Sequence, residues 1–278
     1  MALPGFSFAR RLRAGETVFC GWCSMPYPIV AETIGRDGFV AVTLESQHGL
    51  WDMGAMLTGI AAVRQSGAAP LVRVPVGDFV MVSRVLDYGA EGVIAPMINT
   101  AADARAFVAA AKYPPIGERS WGPHRVTTLA GIADQSIYLH EANDNIITLA
   151  MIETTAALTN LEAILATPGI DGVFVGPADL SIALTGGKSL DPVSPEVDRE
   201  IDRIIGDAFT RKPRDRRRSS PAPSMEMRET DRELTVTVEL PDANFARIDI
   251  GVHDGVLTVC ERTQPAADVQ MHDAYSGW

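Results

Sequence analysis

Residues 151–181 read MIETTAALTNLEAILATPGIDGVFVGPADLS, and the order of signals in this stretch decides the fold. An apolar run over 146–153 closes on a carboxylate, Glu153. A segment of helical period follows, with Leu158, Leu161, Ile164 and Leu165 on one face, until Thr167-Pro168-Gly169 stops it. Val173, Phe174 and Val175 then form a second short apolar run, bounded by Gly and Pro, and Asp179 lies just beyond it. Strands that are apolar on both faces and separated by a helix make a parallel βα unit. Neighbouring strands lie about 4.8 Å apart, so both acids reach the same rim.

The pattern extends in both directions. Further strands are expected over 18–25, 39–45, 70–74 and 92–97, and a helix over 53–65 carries Met53, Met56, Leu57, Ile60 and Ala61 on its packed face. Thr100 with Asp103 forms a capping box. The last helix opens at Ser194-Pro195 and is expected to bury Val197, Ile201, Ile204, Ile205 and Ala208. Six βα units are legible within residues 1–212, giving an α/β, TIM-barrel-like fold, whereas a closed barrel of this kind has eight. A basic, Pro/Ser-rich linker is expected at 213–223; without interleaved aromatics it reads as a solvated hinge. Residues 224–264 alternate in the manner of a small all-β segment, with turns at Pro241-Asp242 and Asp254-Gly255, and residues 265–278 read as a tail.

Composition narrows the partners. The 278 residues are 46% hydrophobic and 21% charged, with a formal net charge of −11. That balance disfavours nucleic acid and anionic membrane and leaves small-molecule chemistry open. No apolar stretch of membrane-spanning length and no cleavable leader pattern is seen, so a cytoplasmic protein is expected. Cys20-Gly-Trp-Cys23 has redox spacing, but on a strand residues three apart face opposite ways, so ordinary buried thiols are expected.

Two carboxylates on one rim repel unless a proton or a cation lies between them. An all-oxygen pair suits Mg²⁺ or Mn²⁺, with Co²⁺ a further candidate; a shared proton or a salt bridge to Arg73 is the structural alternative. His48, in TLESQHG, belongs to the same rim near Glu45, with Asp87 a further acid, and a histidine held by a carboxylate is a competent base. Arg73, at the exit of LVRVP, is suited to stabilise an oxyanion or to pair with a rim acid. Lys112, Lys188 and Lys212 are the only lysines and none falls on a strand, which argues against Schiff-base chemistry. Gly186-Gly187-Lys188 lacks the rest of a phosphate loop and reads as a turn.

Taken in order, ESQHG, LVRVP, VLDYGAEGVIAPMINTAADA, YPPIGERSWGP, MIETTAALTNLEAI and GVFVGPADLS resemble the metal-dependent pyruvate aldolases of the HpcH/HpaI family, over residues 5–210. The resemblance implies a TIM barrel in a homo-oligomer, acting as a lyase that cleaves 4-hydroxy-2-oxo acids to pyruvate and an aldehyde. It implies Glu153 and Asp179 as metal ligands, His48 with Asp87 as the base pair, and Arg73 on the oxo or enolate oxygen. It also implies the amides of Ala178 and Asp179 on the substrate carboxylate. Two positions depart from the family pattern: Met151 stands where many members have Gln, and Gln47 where an acid is common. The last two βα units have no counterpart. Residues 224–264 instead resemble the first half of the α-crystallin domain of small heat-shock proteins, through ETDRELTVTVELP and HDGVLTV. An acyl-CoA lyase or oxaloacetate decarboxylase on the same barrel, a chaperone or interaction protein, and an inactive fusion are the alternative readings.

Overall fold

The computed structural model describes residues 3–211 and, as backbone, residues 224–229, 234–239, 248–253 and 256–261. The chain divides into two compact units, Met1–Pro213 and Arg214–Trp278.

In the first unit, α1 (Phe8–Arg13) precedes β1 (Cys20–Cys23), α2 (Pro28–Arg36), β2 (Ala41–Glu45), α3 (Met53–Ser66) and β3 (Ala69–Arg73). Next come α4 (Phe79–Tyr88), β4 (Gly92–Ala95), α5 (Ala101–Ala111), α6 (His124–Leu129), α7 (Gln135–Asn145) and β5 (Ile147–Ile152). The unit ends with α8 (Thr155–Thr159), α9 (Leu161–Leu165), β6 (Gly172–Val175), α10 (Pro177–Leu184) and α11 (Pro195–Arg211). The six expected strands all form. They make one parallel sheet in chain order, β1 to β6, with Glu45 opposite Arg73 and Ile152 opposite Val175.

The sheet is curled. A flat sheet would hold β1 and β6 roughly 24 Å apart, yet the rings of Trp22 on β1 and Phe174 on β6 meet with centroids 5.7 Å apart. On the concave side, Phe8 and Ala9 of α1 pack with Ala41, Ala69, Leu71 and Ile147, closing the end at which the strands begin. On the convex side, Val42, Leu44, Val72, Val93 and Ile152 pack under Met56, Ile60, Val85 and Phe107 of the helical layer. Strands buried on both faces carry apolar residues at nearly every position, which is why they read as runs rather than alternations.

Helix ends follow local chemistry. Asp52 accepts from Ala55 N at 2.8 Å and Asp78 from Met81 N at 3.0 Å, while Thr100 and Asp103 form the expected capping box. Four expectations need correction. The buried face of α3 is Met56, Gly59, Ile60, Ala62 and Val63, leaving Met53, Leu57 and Ala61 only partly buried. The helix after Glu153 is two short helices divided at Asn160, whose side chain bonds back to the Asn99 and Ala156 carbonyls. Ile205 is 42% exposed, because α11 turns only the line through Val197 and Ile204 fully inward. Cys20 and Cys23 are free thiols on opposite faces of β1, and only Cys23 is buried as expected; Cys20 is exposed, because its face of the strand is the uncovered one.

In the second unit, β7 (Ser224–Glu229) pairs antiparallel with β8 (Leu234–Glu239), and β9 (Ile248–His253) with β10 (Val256–Glu261). The linker at 213–223, both expected turns and the tail lie outside the described residues. No helix among the described residues is long and apolar enough to cross a membrane.

Candidate active site

Parallel strands put all their carboxyl ends on one rim, and here β2, β3, β5 and β6 deliver Glu45, Arg73, Glu153 and Asp179 to it. Glu153 follows β5 and is 1% exposed. Its Oε1 accepts from the amide of Met97 at 2.8 Å, in the loop after β4, whereas Oε2 has no hydrogen-bond partner among the described residues. Gly176, across the β5–β6 register, allows this approach: a Cβ there would lie 2.6 Å from Oε2 and 2.5 Å from Met151 Cε. Burial pushes the Glu153 carboxyl above the usual range. The Met97 amide opposes that shift, the Asp179 charge adds to it, and Arg73 and His48 oppose it, so all three side chains lie within electrostatic reach.

Asp179 is the third residue of α10, an eight-residue helix whose N-cap, Gly176, has no side chain to cap it. The first-turn amides of Ala178 and Asp179 therefore have no partner within the helix and point out of its positive end.

Arg73 pairs with Glu45 and not with Glu153 or Asp179. Its Nε and Nη2 both reach Glu45 Oε2 at 2.5 Å, and the guanidinium lies 4.9 Å from the centroid of the Trp22 ring. The backbone of His48 is tied to Glu45, through the His48 amide to Oε1 at 3.1 Å. Its ring is exposed.

Asp87 is not brought to His48. It occupies the last turn of α4, and a helix that starts at the rim carries its final turn to the opposite end of the strands. There the carboxylate accepts from Arg119 Nη2 at 2.5 Å, beside Gly122. The sequence placed Asp87 by motif, without the helix length between it and the rim.

Lys112 is buried, also at that far end, where its ammonium donates to the carbonyls of Asn143 and Ile146 and to Asp171 at 2.5–2.8 Å. Lys188 follows Gly186 and Gly187, which have φ of 60° and 82° and make the expected turn. The Met97 amide was missed by the sequence reading. A backbone donor leaves no compositional trace, although the strand exit APMINT places it beside the MIET exit.

The model of the HpcH/HpaI aldolase/citrate lyase family matches residues 21–209 of this chain. This chain belongs to that family. Within the HpcH/HpaI family, it is 40% identical over 190 residues to the hydroxypyruvate/pyruvate aldolase of Rhizorhabdus wittichii, covering 68% of this chain and 74% of that protein. Against the 4-hydroxy-2-oxovalerate aldolase of Novosphingobium aromaticivorans the identity is 35% over 208 residues, 74% of this chain and 78% of the relative. The crystal structure of an HpcH/HpaI aldolase from Desulfitobacterium hafniense superposes with a TM-score of 0.67 at 30% identity, covering 74% of this chain and 78% of that one. The barrel-like fold is thus that of an HpcH/HpaI family member.

Proposed function

We propose that this chain is a divalent-metal-dependent lyase that reversibly cleaves a 4-hydroxy-2-oxo acid into pyruvate and an aldehyde. The observation that carries this reading is the buried, uncommitted Oε2 of Glu153 on the rim that also bears Asp179. A buried carboxylate oxygen without a donor is costly unless a cation or a proton meets it. Glu153 and Asp179 fit a hard cation through oxygen donors alone, which suits Mg²⁺ or Mn²⁺, with Co²⁺ a further candidate. Such an ion supplies Lewis-acid polarisation of a 2-oxo group.

The chain's own residues supply the remaining parts. The amides of Ala178 and Asp179 receive the substrate carboxylate at the positive end of α10. Arg73 donates from Nη1, whose contact with Met151 Sδ at 3.8 Å is weak, to the oxygen that gains charge as the C3–C4 bond breaks. His48 takes the proton of the 4-hydroxyl in cleavage and returns it in condensation. The names of the two curated relatives, both aldolases acting on 2-oxo acids, support the reading.

Titrating Mn²⁺ or Mg²⁺ against pyruvate release from a 4-hydroxy-2-oxo acid, with a chelator control, tests it. Release that ignores the chelator, or no release with any such acid, overturns it; product analysis separates the acyl-CoA lyase and decarboxylase readings. We further read residues 1–212 as the lyase barrel, 213–223 as a linker, 224–264 as a partial α-crystallin-like segment and 265–278 as a tail. The antiparallel pairs β7–β8 and β9–β10 support that reading of the second unit.

A further inference from the structure

Glu45 and Arg73 end neighbouring strands and stand opposite one another in the register, with side chains 2% and 12% exposed. Both oxygens of Glu45 are committed within the protein. Oε2 takes Nε and Nη2 of Arg73 at 2.5 Å, and Oε1 takes the amides of Gln47 and His48 at 2.7 and 3.1 Å. A carboxylate engaged in this way has no role as a base or a metal ligand. The turn that carries His48 also closes directly on this residue: a Cβ at Gly49 would lie 2.1 Å from the Glu45 carbonyl oxygen and 2.9 Å from its Cγ. On the other side, Trp22 covers one face of the guanidinium at 4.9 Å, and Nη1 is left with only the Met151 sulfur, a weak acceptor.

We infer that Glu45 is a positioning residue that holds Arg73 and the His48 turn on one carboxylate and keeps Arg73 off Glu153 and Asp179. The inference rests on the proposed lyase function. A half-buried guanidinium needs a counter-charge, and with Glu45 gone the nearest candidates on the rim are the two acids assigned to the metal. Arg73 Nη1 already lies 3.8 Å from the sulfur of Met151, on the strand that leads into Glu153. Released from Glu45, it turns the metal donors into an ion pair and withdraws Nη1 from the substrate oxygen.

The test is a double-mutant cycle on the full chain between Glu45→Gln and Arg73→Ala. It reads Mn²⁺ affinity by titration, pyruvate release, and thermal stability. Glu45→Gln alone is expected to lower Mn²⁺ affinity and turnover, each on the order of 10–100-fold. In the Arg73→Ala background the same change should leave Mn²⁺ affinity intact and cost little further turnover, because the arginine that it misplaces is absent. Glu45→Asp, which keeps the charge, should retain more Mn²⁺ affinity than Glu45→Gln, and it replaces Glu45→Gln in the cycle if that variant does not fold. Additive losses in both backgrounds, or no loss in the first, overturn the assignment. A wild type that binds Mn²⁺ but releases no pyruvate defeats the aldolase reading alone, and the Mn²⁺ arm still decides the role of Glu45. A wild type that binds no Mn²⁺ overturns both.

Discussion

The amide of Met97 donates to Oε1 of Glu153 at 2.8 Å, and it does so from a left-handed backbone with φ of 54°. Met97 is the only non-glycine residue with positive φ among the described residues, and such a conformation persists only where its surroundings enforce it. It commits one carboxylate oxygen and leaves Oε2 free.

Metal binding should therefore be visible as stability. With Mn²⁺ at 100 times its dissociation constant, the folded state should gain about 2.7 kcal/mol, read as a rise in Tm. Glu153→Gln and Asp179→Asn should each abolish the rise. His48→Ala should keep it while lowering pyruvate release. Loss of the rise in all three variants would make His48 a ligand or a structural residue.

Borohydride added with pyruvate should trap no adduct. The buried Lys112 amine is bonded to three acceptors at the end of the strands remote from the rim, and Lys188 lies in a loop. A mass increase on any of the three lysines would replace the metal-dependent chemistry with an imine mechanism.

Lys112→Met should destabilise the fold without touching the rim. It strips two carbonyls and Asp171 of a donor in a site where the lysine side chain is 1% exposed. Breaking a buried pair of this kind costs about 3 kcal/mol, to be read from the urea midpoint. Turnover per folded molecule should be unchanged; a selective loss of turnover would contradict the placement of Lys112 away from the site.

Glu91 gives a pH signature of defined sign. Burial raises its carboxyl above the ordinary value, while Arg64 and the amides of Phe8 and Ser7 oppose the shift. The folded state then holds its proton at pH values where the unfolded chain has released it. Folding is favoured below the unfolded value of 4.5, and that contribution is lost as pH rises from there through the raised folded value. Compared with Glu91→Gln, the wild type should lose stability across that window, and an opposite slope in paired denaturation curves would show that Arg64 outweighs burial.

The strands were legible because a doubly buried parallel strand has no polar face to confuse the pattern, as in Val93–Ala95 of β4. The rim acids were legible because Glu153 follows its run directly and Asp179 follows its run within one turn of helix. What stayed hidden depended on through-space geometry: the Glu45–Arg73 pair arises from register, the Met97 contact from backbone, and the separation of Asp87 from His48 from the length of α4. Ile205 failed for a related reason, since helical period gives a stripe but not which edge of it meets the sheet.

The final expectation concerns the two edges of the sheet. β1 and β6 each lack a neighbour on one side among the described residues, and no residue of β6 is fully buried. Phe19, just before β1, is 76% exposed. In a closed eight-stranded barrel two further strands would lie between these edges. Open edges with apolar flanks favour association, because unpaired N–H and C=O groups and uncovered side chains are satisfied together by another chain. The full chain should therefore show a native mass above the 29.8 kDa of one copy. Phe19→Lys, which sets a charge beside the β1 edge without entering the rim, should move that mass towards one copy. A wild-type chain that sediments as a single copy would overturn the expectation and mean that a six-stranded curl tolerates its own open edges.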